Sequence, residues 1–287
     1  MSTVIALANQ KGGVGKTTTA VSLATAVALL GRRVLLVDGD PQANATSALG
    51  ERQRASGVLY DALVDERPLE TAVIETLVPG LSLVPTTPAL AGAEVELVSA
   101  MAREFRMKRA LEPLRDRYDL VVIDCPPSLS LLTVNALTAA DEVIIPVQCE
   151  YFALEGLGHL AATVDLVRRN LNPQLLLRGV LLTMFDSRTN LSRDVESEVR
   201  HHFPNTFRVT IPRSIRLAEA PSHGRPIQLY DPESPGARAY DALAVELLRQ
   251  LDERAATAPP RLDPAAGTLA GRSPVRVARD AAEGGTP

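Results

Sequence analysis

Apolar runs rich in β-branched residues recur along most of the chain, at residues 4–8, 34–37, 81–84, 120–123, 143–147, 176–183 and 207–211. Most lack the apolar–polar alternation of a half-exposed strand and so read as strands buried on both faces. The longer segments between them carry helical patterns that supply the crossovers of a parallel sheet. The prediction is an α/β fold: a doubly wound, mostly parallel sheet. Residues 18–30 have helical periodicity, and Gly31 stands where a left-handed C-terminal cap belongs. Residues 51–79 are less regular, although 58–64 read as a short helix. After Arg254 the composition turns to Ala, Pro, Gly and Arg, with too little apolar content to pack. We therefore expect one domain over residues 1–254 and a disordered tail over 255–287.

Composition narrows the function classes. The chain has 287 residues, enough for a sizeable core, but no Trp and only 3% aromatic residues. The core must be built from Ala, Val, Leu and Ile, and nucleic-acid binding by base stacking is disfavoured. With a formal net charge of −4, any polyanionic partner has to meet a local basic patch. Cys125 and Cys149 are the only cysteines, and no signal peptide is read at the start, so the expected setting is a reducing cytoplasm with both thiols free. No apolar run reaches the roughly 18 residues of a membrane span, and no membrane partner is expected.

The first strand leads into "NQKGGVGKTTT", residues 9–19. Gly15, Lys16 and Thr17 complete a phosphate-loop pattern, but Gln10 stands where its first glycine should be. The chemistry survives that mismatch. Gly12, Gly13 and Gly15 let backbone N–H groups turn inward, and the following helix offers its positive end to phosphate. Lys16 would reach terminal phosphates, and the Thr17 hydroxyl would ligate Mg²⁺. "RVLLVDGD" places Asp38 and Asp40 at the carboxyl end of the second strand, where open α/β sheets bind ligands. "YDLVVIDCPPS" ends a further strand in Asp124, the pattern of a carboxylate that holds Mg²⁺ through water. Cys125 and Cys149 are given no catalytic role.

"KGGVGKTT" resembles the deviant Walker A loop of the ParA and MinD group of P-loop ATPases. The wider chain is similar to the small chromosomal ParA proteins, also called Soj, through "LVDGDPQANATSALG", "VIDCPPSLSLLTVNALTAAD", "VIIPVQCEYFALEGL" and "IPRSIRLAEAPSHGRPIQLYDP". It departs from them slightly at Gly39 and Ala43, the latter where members often carry Gly. The resemblance implies an ATP-dependent homodimer in which Lys11 reaches phosphates held by the other subunit. It implies that ATP and Mg²⁺ are held by residues 11–18, namely Lys11, Gly12, Gly13, Val14, Gly15, Lys16, Thr17 and Thr18. Asp40 would be needed for hydrolysis, Asp38 would lie near the metal, and Pro212 and Ser214 would line the base.

The same resemblance implies non-specific binding to double-stranded DNA, release when a ParB-like partner stimulates hydrolysis, and residence on the nucleoid in the cytoplasm. Between residues 188 and 225, seven arginines stand against Asp194, Glu196, Glu198 and Glu219, with His201, His202 and His223 nearby. This is a phosphate-contacting patch by charge. The family points to Arg188 and Arg216 within it, and Arg213 fits either DNA or the base. The alternatives are a MinD-like membrane-cycling ATPase, which needs an amphipathic C-terminal helix, a reductase of the nitrogenase iron-protein type with paired cysteines, and a non-catalytic nucleotide-binding scaffold.

Overall fold

Seven strands, β1 (Thr3–Leu7), β2 (Val34–Asp38), β3 (Ile74–Glu75), β4 (Leu81–Val84), β5 (Leu120–Asp124), β6 (Glu142–Gln148) and β7 (Leu176–Thr183), form one sheet in the order β3-β4-β2-β5-β1-β6-β7. The structure is a computed structural model that describes residues 2–52, 58–151 and 153–257. Every neighbouring pair is parallel except β3 with β4. Alternate residues of the central strands, Val4, Ala6, Leu35, Val37, Val121 and Ile123, join one apolar cluster, while Ile5, Leu7, Leu36 and Val122 are equally buried on the other face. Burial on both faces is the doubly wound arrangement that the unalternated runs predict.

The helices in chain order are α1 (Lys16–Leu29), α2 (Asn44–Ala48), α3 (Leu59–Leu63), α4 (Leu90–Glu96), α5 (Arg106–Leu111), α6 (Leu131–Ala139), α7 (Ala153–Asn170), α8 (Asn190–His202), α9 (Ile215–Glu219), α10 (Ile227–Tyr230) and α11 (Pro235–Thr257). Side chains of α3 to α8 supply the cluster on the first face. α1 is buried almost all round and is tied to α11 by the hydroxyls of Thr19 and Tyr240, 3.0 Å apart. It ends as expected, with Gly31 at φ 86 and its N–H donating to the Ala28 carbonyl. Met1–Gln250 form one compact unit. In the second unit, Leu251–Pro287, the described residues are the last turns of α11, and the expected tail lies outside the described residues from 258 onward.

Two strand assignments differ from the sequence reading. β3 is a two-residue antiparallel edge strand, too short to leave a pattern. The run at 207–211 is not a strand, although it lies along β7. Phe207 and Ile211 donate to the carbonyls of Val180 and Leu182, but the intervening Arg208 and Val209 amides donate to the carboxylate of Glu246 on α11. Pro212, which has no amide hydrogen, ends the run with a single bridge to Phe185. A carboxylate thus interrupts a ladder that hydrophobicity alone would have completed.

Gly179 makes that close approach possible. A Cβ there would lie 2.4 Å from the Asn205 carbonyl oxygen and 3.0 Å from the Phe207 ring. Gly179→Ala is expected to destabilise the fold by about 1–3 kcal/mol through overpacking. Urea denaturation checks this, and an unchanged midpoint would mean that the 205–211 strip is not packed against β7.

Candidate active site

β1, β5 and β2 are neighbours, and their register sets Leu7 opposite Asp124 and Asp124 opposite Asp38. The phosphate loop leaves β1 just beyond Leu7. Asn9 fixes the exit: its side-chain amide donates to the Pro146 carbonyl at 2.7 Å, and its oxygen accepts the Lys11 amide at 3.0 Å. Gly13 and Gly15 have φ of 75° and 85°, a conformation that costs a side-chain-bearing residue about 1–2 kcal/mol. The Thr183 hydroxyl on β7 donates to the Val14 carbonyl at 2.8 Å. Among the described residues, the amides of Gly12, Gly13 and Gly15 have no backbone acceptor. The loop is therefore a pinned turn at the head of α1 whose glycine amides are not spent on other backbone groups, which is what phosphate oxygens require.

Lys16 is buried, and its Nζ donates to the Lys11 carbonyl across the loop at 3.1 Å. Burial holds its pKa below the usual lysine value, opposed chiefly by Asp124 and also by Cys125 and Asp40. Lys11 points elsewhere. Its half-exposed ammonium sits 3.2 Å from Glu150 in the segment after β6, and Gln148 donates to the same carboxylate.

The three carboxylates differ in their surroundings. Asp38 is fully buried and is pushed up to about 6 by desolvation, even though it accepts from the Thr46 hydroxyl (2.6 Å), the Thr46 amide (2.7 Å) and the Asp40 amide. Asp40 is nearly buried and caps the following turn, accepting the Gln42 amide at 2.9 Å. That turn ends at Ala43, in the left-handed region with φ 54. Asp124 is fully buried, and neither oxygen has a hydrogen-bond partner among the described residues. Its pKa is raised well above the ordinary value, first by burial and then by the charge of Asp38, with Thr17 and Lys16 favouring the ionised form.

Such an orphaned carboxylate beside a hydroxyl is a donor set for a hard cation. No group of three or more His, Cys, Asp or Glu suited to a metal occurs among the described residues. Mg²⁺ needs none, since it takes one or two carboxylates, keeps several waters and shares phosphate oxygens. Thr17 and Asp124 fit that chemistry, whereas the oxygens of Asp38 are already engaged by Thr46 and Asp40. Cys125 is buried, and desolvation pushes its thiol up, away from nucleophilic use.

Pro212 and Ser214 lie beside the loop, where with Gly15, Thr18, Met184 and Tyr240 they line a cavity of about 100 Å³. The Phe185–Pro212 bridge and the Arg213 amide, which donates to the Phe185 carbonyl, draw residues 185–188 and 212–213 together. Arg188, 85% exposed, grips Asp186 through two nitrogens, and with Arg213 nearby it holds that carboxyl down at about 2. Arg216 is paired with Glu219 and Asp231. Arg200 belongs to the fold instead, donating to Glu196 and to the carbonyls of Phe207 and Arg208. The sequence reading missed Thr46, Thr183, Glu150 and Met184. These hold the site from other elements, at no fixed spacing from its motifs.

A pinned phosphate loop at the head of a helix, with carboxylates at the ends of two adjacent parallel strands, defines a P-loop ATPase. A family model described as an AAA domain matches residues 2–177. Over 249 residues the chain is 55% identical to sporulation initiation inhibitor protein Soj of Bacillus subtilis (strain 168), covering 86% of this chain and 98% of that one. It is 54% identical over 249 residues to chromosome partitioning protein ParA of Myxococcus xanthus (strain DK1622), covering 86% and 88%. A crystal structure described as cobyrinic acid a,c-diamide synthase from Mycobacterium smegmatis, with bound ADP and magnesium, superposes with a TM-score of 0.78 at 41% identity, over 88% of this chain and 97% of that one. The chain belongs to the Soj/ParA family of chromosome-partitioning ATPases. No helix among the described residues is long and apolar enough to cross a membrane.

Because Asp124 is costly to ionise where it stands, its stabilising form is the protonated one, which is lost as pH rises through its elevated pKa. Asp124→Asn is expected to stabilise the nucleotide-free protein at pH 8, by removing a carboxyl that is costly to ionise there. The gain should shrink at pH 5, because a raised pKa lets Asp124 take up its proton as pH falls. Chemical denaturation at the two pH values measures both, and a gain independent of pH would contradict the assignment.

Proposed function

We propose that the chain is a DNA-segregation ATPase that binds ATP with Mg²⁺, pairs with a second copy across the nucleotide, and holds double-stranded DNA without sequence preference in that state. The observation that carries this reading is the division between the two loop lysines. Lys16 turns into its own loop, while Lys11 is directed out of it and ends half-exposed on Glu150. A lysine so placed is poorly set to serve its own loop and well set to approach phosphates on a facing subunit, as an arginine finger does in trans.

In this reading the loop amides and Lys16 bind the phosphates, Thr17 and Asp124 hold the metal, and Pro212 and Ser214 bound the base. Bound Mg²⁺ would neutralise phosphate charge that builds up during transfer. Asp40, at the loop edge and anchored by Gln42, orients the attacking water, and Asp38 positions α2 through Thr46. The resting ion pairs of Arg188 and Arg216 lie at the surface, where water and salt screen them, so phosphate oxygens of DNA can replace them at little cost. Two such patches in one dimer bind with avidity that neither has alone. Hydrolysis, stimulated by a ParB-like partner, ends that avidity and releases the chain from the nucleoid.

DNA retention measured with ATP, with ADP and without nucleotide tests the reading. Wild type is expected to bind only with ATP, and equal binding in all three conditions would refute the switch. Lys16→Ala should lose ATP, and Lys11→Ala should keep ATP but not turn it over. Asp40→Ala should remain a dimer on DNA, and normal turnover by it would remove the role given to Asp40. Arg188→Ala and Arg216→Ala should lose DNA while keeping the ATP dimer, and log affinity should fall linearly with log salt.

A further inference from the structure

A second cavity, of about 350 Å³, shares no lining residue with the site above and lies among α3, residues 66–70 and α5. Arg106 and Arg109, one turn apart on α5, line it together with Arg67, Glu66 and Glu70. The Arg106 side chain is only 12% exposed, and its Nε has no hydrogen-bond partner among the described residues. Its ion-pair partner is Glu66, a side chain 64% exposed on a residue held at φ 54. Arg109 is exposed and in no ion pair among the described residues, while Arg67 stands 4.0 Å from Asp65. The start of α5 is firmly held: the Met107 amide donates to the side-chain oxygen of the buried Asn135, whose amide donates to the Arg103 carbonyl.

A guanidinium presents five donors in a rigid fork, and leaving one of them buried and unmet is unfavourable. Two such forks facing one cavity, one of them fixed and incompletely bonded, match the several oxygens of a phosphate better than the two of a carboxylate. Glu66 is a weak occupant, because it is mostly in water and rests on a strained backbone. We propose that this cavity is a second anion site that takes a small phosphate-bearing ligand between Arg106 and Arg109, with Glu66 as the counter-ion it displaces. Free inorganic phosphate and a small phosphate monoester share the required chemistry. The volume has room for the organic body of the monoester.

The test uses the full chain carrying Lys16→Ala, to weaken binding at the phosphate loop, titrated calorimetrically with inorganic phosphate, glycerol phosphate and succinate. Saturable binding of either phosphate compound, tighter than succinate, is expected, and the tighter of the two identifies the source. Arg109→Gln and the fold-sparing Arg106→Lys should each weaken it about tenfold, the loss of one charged hydrogen-bonded fork. Glu66→Gln should instead tighten it, a gain that structural damage would not produce. Absence of saturable binding, succinate binding as tightly as phosphate, or affinity unchanged by Arg109→Gln and Arg106→Lys would each overturn the proposal.

Discussion

The register of three strands governs this molecule. Because β5 lies between β1 and β2, Asp124 stands beside Asp38 at the end of the sheet, with the phosphate loop starting two residues past Leu7. Two fully buried carboxylates in adjacent strands repel each other and are each expensive to desolvate, so both resist ionisation. Lys16, close by and itself held below its normal basicity by burial, offsets this only in part. The protein keeps an unfavourable charge arrangement in its core, and a cation with bound phosphate relieves it. Such a site is stable enough to fold and incomplete enough to favour its ligand.

Much of this was legible in the sequence, for definite reasons. Buried parallel strands need runs without alternation, and six of the seven marked runs are strands. A left-handed cap needs glycine, and Gly31 is one. A loop that turns its amides inward needs glycines at positive φ, and Gly13 and Gly15 supply them. What stayed hidden depends on partners distant in the chain. Glu246 takes the amides of Arg208 and Val209 and so breaks the marked run at 207–211, and no local pattern in that run signals a carboxylate 37 residues away. Thr46 looks like an ordinary helical threonine, yet it bonds Asp38 twice and also receives the Thr86 amide at 3.1 Å.

The arginines show where charge counting stops being informative. A local excess of arginine marks a patch, but it cannot separate Arg200, whose guanidinium is spent on two backbone carbonyls and Glu196, from the exposed Arg188, whose partner is a single carboxylate two residues away. Backbone carbonyls in a folded loop are not exchangeable, whereas a surface ion pair is. The structure therefore narrows the patch by what each arginine would have to give up, a property that the sequence does not carry.

Thr46 also defines a mechanical path. It fastens the middle of α2 to Asp38, and just beyond the end of that short helix Gly50 meets Gly224 so closely that a Cβ on either would lie 3.0 Å from the other's backbone. Both glycines are at positive φ, so neither accepts a side chain without strain. Gly224 closes the 3-10 turn Ala220–His223 that follows directly on α9, the helix bearing Arg216. A movement of α2 must then either pass to the turn beyond α9 or be absorbed by an opening of the Gly50–Gly224 contact. The loop that carries Asp40 and the helix that carries Arg216 are far apart in sequence. They are nevertheless linked through α2, the Gly50–Gly224 contact and the turn Ala220–His223, a contiguous series of packed elements.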